Sequence, residues 1–399
     1  MKAWVLHGIN EIRLETVELP ALESGQALVA VKAAGICGSD IPRIYRTGAH
    51  RHPLIPGHEF SGVVESVGKE TDSAWLGKRV GVFPLIPCGA CGPCIKGQYE
   101  MCRNYGYLGS RRDGGFAEYV AVPAENLIEL PDNVSFEEAA MLEPMAVAVH
   151  AVRRVIPAGV PGAPGNNEEE AAVVFGLGTI GLLLLALLLE EGRGGRKFDA
   201  VPVQQGSVPA GRESGTGAEP EPRRAVGLQS IKRILVVGNK ELQKSKACEL
   251  GLPEADYCDS RIQDAGKWIM EQTQGHGADV VFECVGRNET MTQAVDSAAP
   301  SGRICLVGNP ASDMVLGKDV YWKILRNQLT VRGTWNSSFT HHRADDWHYA
   351  LELFSQKRID ISRLISHRFP LAELDRGFCI MRDKSEEYVK IMGEMPAAL

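Results

Sequence analysis

The rhythm of apolar and polar positions changes twice along the chain. Up to about residue 130, short β-rich runs such as 27–33 and 62–67 are separated by Gly and Pro, which predicts a largely β region with sparse helix. At Ser135-Phe136-Glu137-Glu138 a Ser followed three residues later by Glu reads as a capping box, opening an apolar-periodic helix toward Arg153. From Ala171 the runs 171–175, 233–237, 279–284, 303–307 and 329–333 predict strands, with helical stretches between most of them. Such alternation predicts a parallel sheet covered on both faces, the doubly wound arrangement. The tail 335–399 mixes the two patterns and is expected to return to the first region.

Two segments break the rhythm. Residues 192–230 are rich in Gly, Pro and charge and read as a flexible surface insertion, although a structureless loop of that length inside a domain is uncommon. The Pro- and Gly-rich stretch 157–167 reads as a linker or exposed loop. A chain of 399 residues suits two domains. The expected division is 1–150 for a mainly β domain, 151–335 for a doubly wound domain carrying the insertion, and 336–399 for the return.

Bulk properties narrow the partners. A net charge of −7 gives no overall basic field, so nucleic acid is not an expected partner. The apolar run Leu182–Leu189 is eight residues, far short of the roughly 20 that span a bilayer, and reads as a buried helix. The start, Met1 to Gly8, lacks the pattern of a secretory signal, so a cytoplasmic, non-membrane protein is expected. In that compartment the ten cysteines point to metal chemistry before disulfides.

Four of them, Cys88, Cys91, Cys94 and Cys102, fall in the pattern C-x2-C-x2-C-x7-C with glycines at the turns. Four thiolates around one ion leave no open position, so this is a structural zinc lobe, with an iron–sulfur cluster as the other reading of the spacing. A second constellation is spread over Gly35-Ile36-Cys37-Gly38-Ser39-Asp40, Gly57-His58-Glu59 and Glu143-Pro144. One thiolate, one imidazole and two carboxylates suffice for three protein ligands and an exchangeable fourth position, as a catalytic zinc requires. Singly, each motif is as well explained by a core Cys, a hydrogen-bonded His or a turn.

Residues 171–175 run straight into Gly176-Leu177-Gly178-Thr179-Ile180-Gly181 and an apolar helix. In a strand–turn–helix context this pattern binds a dinucleotide: glycine lets the backbone approach the pyrophosphate, and the helix N-terminus offers N–H donors. The acidic residue that usually holds the NAD ribose has no counterpart here, since the next strand ends in Gly238-Asn239-Lys240. A lysine without a carboxylate leans toward NADP.

These motifs, together with Asp113-Gly114-Gly115-Phe116-Ala117-Glu118-Tyr119, resemble the zinc-containing medium-chain dehydrogenases over essentially the whole chain except the insertion. Within the family the polyol branch is most similar, and the loops 42–50 and 109–113 resemble its enzymes for hexitol phosphates of the galactitol 1-phosphate type. The resemblance implies an α/β fold, a GroES-like β domain with a Rossmann domain, and a dimer or tetramer with 329–333 as a pairing edge. It implies that Cys37, His58 and Glu143 ligate catalytic zinc, that Glu59 supports or exchanges with them, and that Ser39 relays the substrate proton while Asp40 backs the metal site. It also implies two zinc ions per chain and NAD, so NAD and NADP both stand.

The implied reaction moves a hydride from a secondary alcohol carbon of a polyol or polyol phosphate to the nicotinamide. Arg43, Arg46, His50, Arg51 and His52 crowd one loop and Arg111 and Arg112 sit in another; Arg43, Arg46, Arg111 and Arg112 are the candidates for a substrate phosphate, because guanidinium forks suit it, and Tyr45 is a further substrate candidate. Read singly, each arginine is as well a surface charge. The competing functions are a sorbitol, threonine or diol dehydrogenase of the same family, and a nucleotide-binding homologue without catalysis.

Overall fold

A computed structural model describes residues 1–156, 170–194, 231–310 and 312–395. The linker read at 157–167 and most of the insertion read at 192–230 lie outside the described residues; residues 192–194 end a helix.

The N-terminal part is built of short strands, as the alternating runs require. β1 (Lys2–Gly8) and β2 (Glu11–Thr16) form an antiparallel pair. β3 (Gln26–Ile36), β4 (Glu59–Val67) and β5 (Arg79–Val82) begin the main sheet, β6 (Leu85–Ile86) and β7 (Gly106–Tyr107) pair beside it, and β8 (Tyr119–Pro123) and β9 (Leu127–Glu129) complete this stretch.

The second sheet is parallel throughout. Its strands are β10 (Glu170–Phe175), β11 (Ile231–Gly238), β12 (Tyr257–Asp259), β13 (Ala278–Glu283), β14 (Ala298–Leu306) and β15 (Thr330–Gly333). Their order, β12-β11-β10-β13-β14-β15, puts the first strand in the middle, so connections diverge on either side of the carboxyl end of β10. That divergence opens the crevice in which such sheets hold dinucleotides. The three-residue β12 has no counterpart among the strands expected from sequence, being too short to show a period.

The end of the chain joins the first sheet. β16 (Ile365–Pro370) and β17 (Lys390–Glu394) extend the first sheet, giving the order β16-β17-β3-β4-β5-β9 with β8 on β3. The chain therefore has a GroES-like β part and a Rossmann part.

The capping box is present in full: Ser135 N donates to Glu138 Oε2 at 2.7 Å, and Glu138 N donates to Ser135 Oγ at 3.1 Å. The helix it opens is two helices, Phe136–Ala140 and Leu142–Val155, broken at Met141. Pro144 explains the break, since it has no N–H for the Ala140 carbonyl one turn back. Glu143 thereby stands in the first turn of a new helix. That helix packs against the apolar helix Thr179–Gly194 and against Asp346–Ser355, and one hydrophobic core runs through it from Phe83 and Leu85 to Val174 and Phe282. Among the described residues no helix is long and apolar enough to cross a membrane.

Candidate active site and metal centres

The four cysteines converge as expected. Cys91 Sγ lies 3.5 Å from Cys94 and 3.9 Å from Cys102, and Cys88 Sγ lies 4.0 Å from Cys94. A tetrahedron of Zn–S bonds of ~2.3 Å has edges of about 3.8 Å. The sulfurs are thus spaced for one ion, and all ten cysteines of the chain are free thiols.

Cys37 and Gly57-His58-Glu59 meet because β3 and β4 are neighbours: Gly35 pairs with Glu59 at the end of one and the start of the other. Cys37 Sγ, a His58 ring nitrogen and a Glu59 carboxylate oxygen lie within 4.8 Å of one another. His58 Nδ1 is buried without a hydrogen-bond partner, 3.5 Å from Asp40 Oδ1. Burial alone would lower the imidazole pKa, but Asp40 and Cys37 outweigh it and hold it well above the ordinary value. An orphaned imidazole nitrogen between a thiolate and carboxylates is the electrostatics a divalent cation satisfies, so these residues fit zinc.

Asp40 is fully buried and organises the turn. Its carboxylate accepts from Cys37 N at 3.0 Å and from Arg43 at 2.5 Å. Ser39 occupies the N-cap of the short turn that follows and makes no capping bond with its side chain.

The two glutamates are held differently. Glu59 is 2 % exposed and receives a very short bond from Lys390 Nζ, which also donates to Ile36 O at 3.1 Å. Lys390, itself 1 % exposed, comes from β17, which pairs with β3. A methyl at Gly35 would collide with both side chains, so only glycine admits this pair. Glu143 stands outside the 4.8 Å set and accepts from the Tyr107 hydroxyl at 3.3 Å. Burial, reinforced by Glu59, pushes its carboxyl up to about 7. The Tyr107 ring meets His58 edge to face at 5.7 Å.

The glycine turn lies beside this centre. Gly176 has φ +87°, and a methyl on Gly181 would strike the Gly176 carbonyl. Nothing lies within 4 Å of a Cβ built at Gly178, a cradle that a pyrophosphate fits. Thr179 Oγ1 donates to Val389 O at 2.7 Å, so the start of the dinucleotide helix is tied to the residue before Lys390. Ile180 packs into the core. At the end of β11, Asn239 is exposed and Lys240 Nζ sits 5.5 Å over the Tyr388 ring. Carboxylates do stand here, contrary to the sequence expectation. Arg261 is forked onto Asp259 and paired with Glu241, and Ser260 N binds Gly238 O at 2.9 Å. The short β12 brings in Asp259 and Arg261, whereas Glu241 directly follows Lys240.

The candidate substrate residues divide. Arg43 pairs with Asp40, Arg111 lies 4.7 Å over the Tyr105 ring, and Tyr105 meets Tyr107 at 6.1 Å. Burial first, then the charges of Arg111 and Arg43, lower the pKa of His50. His50 is held toward its neutral form, while Arg111 is linked through Tyr105 and Tyr107 to His58 and Arg43 through Asp40. Tyr45 does not join them: Arg382 lies 4.7 Å over its ring, on the helix Leu374–Asp383. Arg46 is exposed. Arg112 lines a cleft of about 560 Å³ with Arg51, Glu18 and Asp113, which neither Cys37 nor His58 lines; Arg111 lines it too. Lys390, Tyr107 and Asn336, whose side chain lies 3.5 Å from the Tyr107 hydroxyl, were not singled out from sequence. Only Lys390 left a signal, a lone charge inside the apolar run Val389 to Met392.

Residues 23–132 match the alcohol dehydrogenase GroES-like domain, and residues 224–356 match the zinc-binding dehydrogenase family. The chain is 30 % identical over 369 residues to galactitol 1-phosphate 5-dehydrogenase of Escherichia coli K12, covering 92 % of each. The crystal structure of galactitol-1-phosphate dehydrogenase from Escherichia coli aligns with a TM-score of 0.79 at 27 % identity, over 99 % of this chain and 100 % of that one. A zinc-binding dehydrogenase from Sinorhizobium meliloti 1021, solved with NADP, aligns with a TM-score of 0.78 at 26 % identity, over 98 % of both chains.

Proposed function

The chain belongs to the zinc-containing medium-chain alcohol dehydrogenase family, and from its being an NAD(P)-dependent polyol or alcohol dehydrogenase we propose that its substrate is a polyol phosphate of the galactitol 1-phosphate type. The observation that carries this reading is that two guanidinium groups reach the surroundings of His58, Arg43 through Asp40 and Arg111 through Tyr105 and Tyr107. Guanidinium groups bind phosphate in forked pairs, and Arg43, already paired with Asp40, keeps further donors for one. The product is then a keto-sugar phosphate, tagatose 6-phosphate for that substrate.

Cys37, His58 and Glu143 would hold the catalytic zinc, with Glu59 as an exchanging carboxylate, and Cys88, Cys91, Cys94 and Cys102 the structural one. The bound ion supplies Lewis-acid charge that makes an alcohol proton acidic near neutral pH. Ser39, with its hydroxyl uncommitted to a cap, would take that proton. Asp40 orients His58, Lys390 holds Glu59, and Gly176, Gly178 and Gly181 would seat the dinucleotide, which would accept the hydride. With Lys240 and Arg261 balanced by Glu241 and Asp259, the adenosine end favours NAD over NADP.

Residues 1–150 and 336–399 would form the catalytic part and 151–335 the cofactor part. A homodimer is proposed through the edge strand β15, beside which Val315, Leu316, Tyr321, Trp322 and Leu325 expose 41 to 73 % of their surface.

The test is kcat/KM for galactitol 1-phosphate, galactitol and sorbitol with each cofactor. The proposal expects the phosphorylated polyol to be preferred by at least about tenfold, the worth of one forked ion pair. Equal or better turnover of the uncharged polyols would overturn it.

A further inference from the structure

The carboxyl end of β11 is where a doubly wound sheet holds the adenosine ribose of a dinucleotide, and an acid at the last strand position usually binds its hydroxyls. That position is Gly238, where a side chain would collide with the Tyr257 hydroxyl. Asn239 and Lys240, which follow, carry no negative charge. A carboxylate reaches this edge from the far end of the chain instead. Glu387 Oε2 accepts from Leu242 N at 2.7 Å, in the first turn of the helix Glu241–Glu249. Lys240 gives that helix no side-chain cap, so Glu387 supplies an acceptor for one of the amides its start leaves open.

Glu387 is exposed, yet the residues after it fix where it stands. The Tyr388 ring lies under Lys240 Nζ at 5.5 Å, Val389 O accepts from Thr179 Oγ1 at 2.7 Å, and Lys390 is bonded to Glu59. Four consecutive residues thus hold, in order, the helix after β11, the lysine that precedes it, the start of the dinucleotide helix and the carboxylate beside His58. Charge then decides what this edge accepts. Lys240 and Arg261 balance Glu241 and Asp259, and Lys244 is paired with Glu254. Glu387 is bonded to an amide rather than to a cation, so it tips a balanced group to net negative. A 2′-phosphate is an anion that seeks the amides of a helix start, and here it would meet a carboxylate already on one of them. A ribose 2′-hydroxyl has no such conflict, since it can donate to the carboxylate.

We infer that Glu387 selects NAD over NADP, as an acid carried to the cofactor part by the returning C-terminal segment in place of one at the end of β11. This rests on the dinucleotide reading above and names the residue behind the cofactor preference proposed there.

The experiment uses the full-length, zinc-loaded protein. Kd is measured for NADH and NADPH by fluorescence, and for adenosine 5′-monophosphate and adenosine 2′,5′-bisphosphate by displacement of NADH, which probes the adenosine end alone. The variants are Glu387→Gln, Glu387→Lys and, as a control, Glu386→Gln, which makes the same charge change one residue away on a carboxylate that faces His367. Wild type is expected to bind NADH at least about tenfold more tightly than NADPH. Glu387→Gln should narrow that ratio by about tenfold through tighter NADPH binding, Glu387→Lys should narrow it further, and Glu386→Gln should leave it within about twofold. The bisphosphate should follow NADPH and the monophosphate NADH. A ratio that neither Glu387 variant moves, that Glu386→Gln moves equally, or that stays constant because both cofactors weaken together overturns the role of Glu387 while the NAD preference stands. A wild type that prefers NADPH overturns both, and a wild type that binds neither cofactor overturns the dinucleotide reading itself.

Discussion

Lys390 and Glu59 show how much of the site rests on single side chains. Both are almost completely buried, 331 residues apart in sequence, and each is the other's compensating charge. Lys390→Met keeps the aliphatic stem and removes the ammonium, leaving Glu59 uncompensated, so urea denaturation should show a loss of about 3–5 kcal/mol. Zinc should partly restore stability by neutralising the same carboxylate. An unchanged midpoint with and without zinc would mean the pair does not bear on the site. At this scale the sequence was partly legible. Cys37, His58 and the four lobe cysteines stood in spaced motifs, because ligands to one ion are constrained by the length of a turn. Lys390 and Tyr107 were not, because they act across sheet neighbours that no local pattern announces.

Elements bring those residues together through their ends. The helix Asp346–Ser355 starts with Asp345 capping His348 N at 2.8 Å, while Asp346 accepts from His150 Nδ1 at 2.8 Å, Arg153 at 2.6 Å and Ser338 N at 2.7 Å. This joins the loop that follows β15 to the central helix Leu142–Val155. Burial opposes the charged form of Asp346, yet His150 and Arg153 outweigh it and its pKa lies below the ordinary 3.8. A lowered carboxyl pKa contributes stability that is fully present above the unfolded value and is lost as pH falls through the folded one. Asp346→Asn should therefore cost about 3–5 kcal/mol near neutral pH, and the gap to wild type should close below about pH 4. Urea curves across that range check it, and a gap that persisted into acid would show that packing rather than charge is lost. The five strands β10, β11, β13, β14 and β15 and the capped helix start at Ser135 were readable from period and caps. The break at Met141 and the three-residue β12 were not, since a proline inside a good helical pattern and a strand below one period leave no rhythm to follow.

At the scale of the molecule, a β part and a doubly wound part share the helix Leu142–Val155 and a common core, and the returning strands β16 and β17 fasten one to the other. The fold class was readable because it depends only on the order of strand and helix patterns. The charge around the end of β11 was only partly so: Glu241 directly follows Lys240, but Asp259 and Arg261 are brought there by the sheet order. The exposed apolar surface next to β15 belongs to this scale too. Trp322, 55 % exposed, lies on it, and light scattering with size exclusion should show a dimer for wild type and a monomer for Trp322→Glu. A wild-type monomer would remove the edge-pairing proposal. The central claim is that one ion, held from β3, β4 and the central helix, faces the dinucleotide turn. The most direct measurement is zinc content per chain taken together with alcohol-dependent NAD(P) reduction, for wild type and His58→Ala. The account expects close to two zinc ions with turnover in wild type, and one zinc ion with none in the variant. One zinc ion and no turnover in wild type, or full activity without His58, would contradict it.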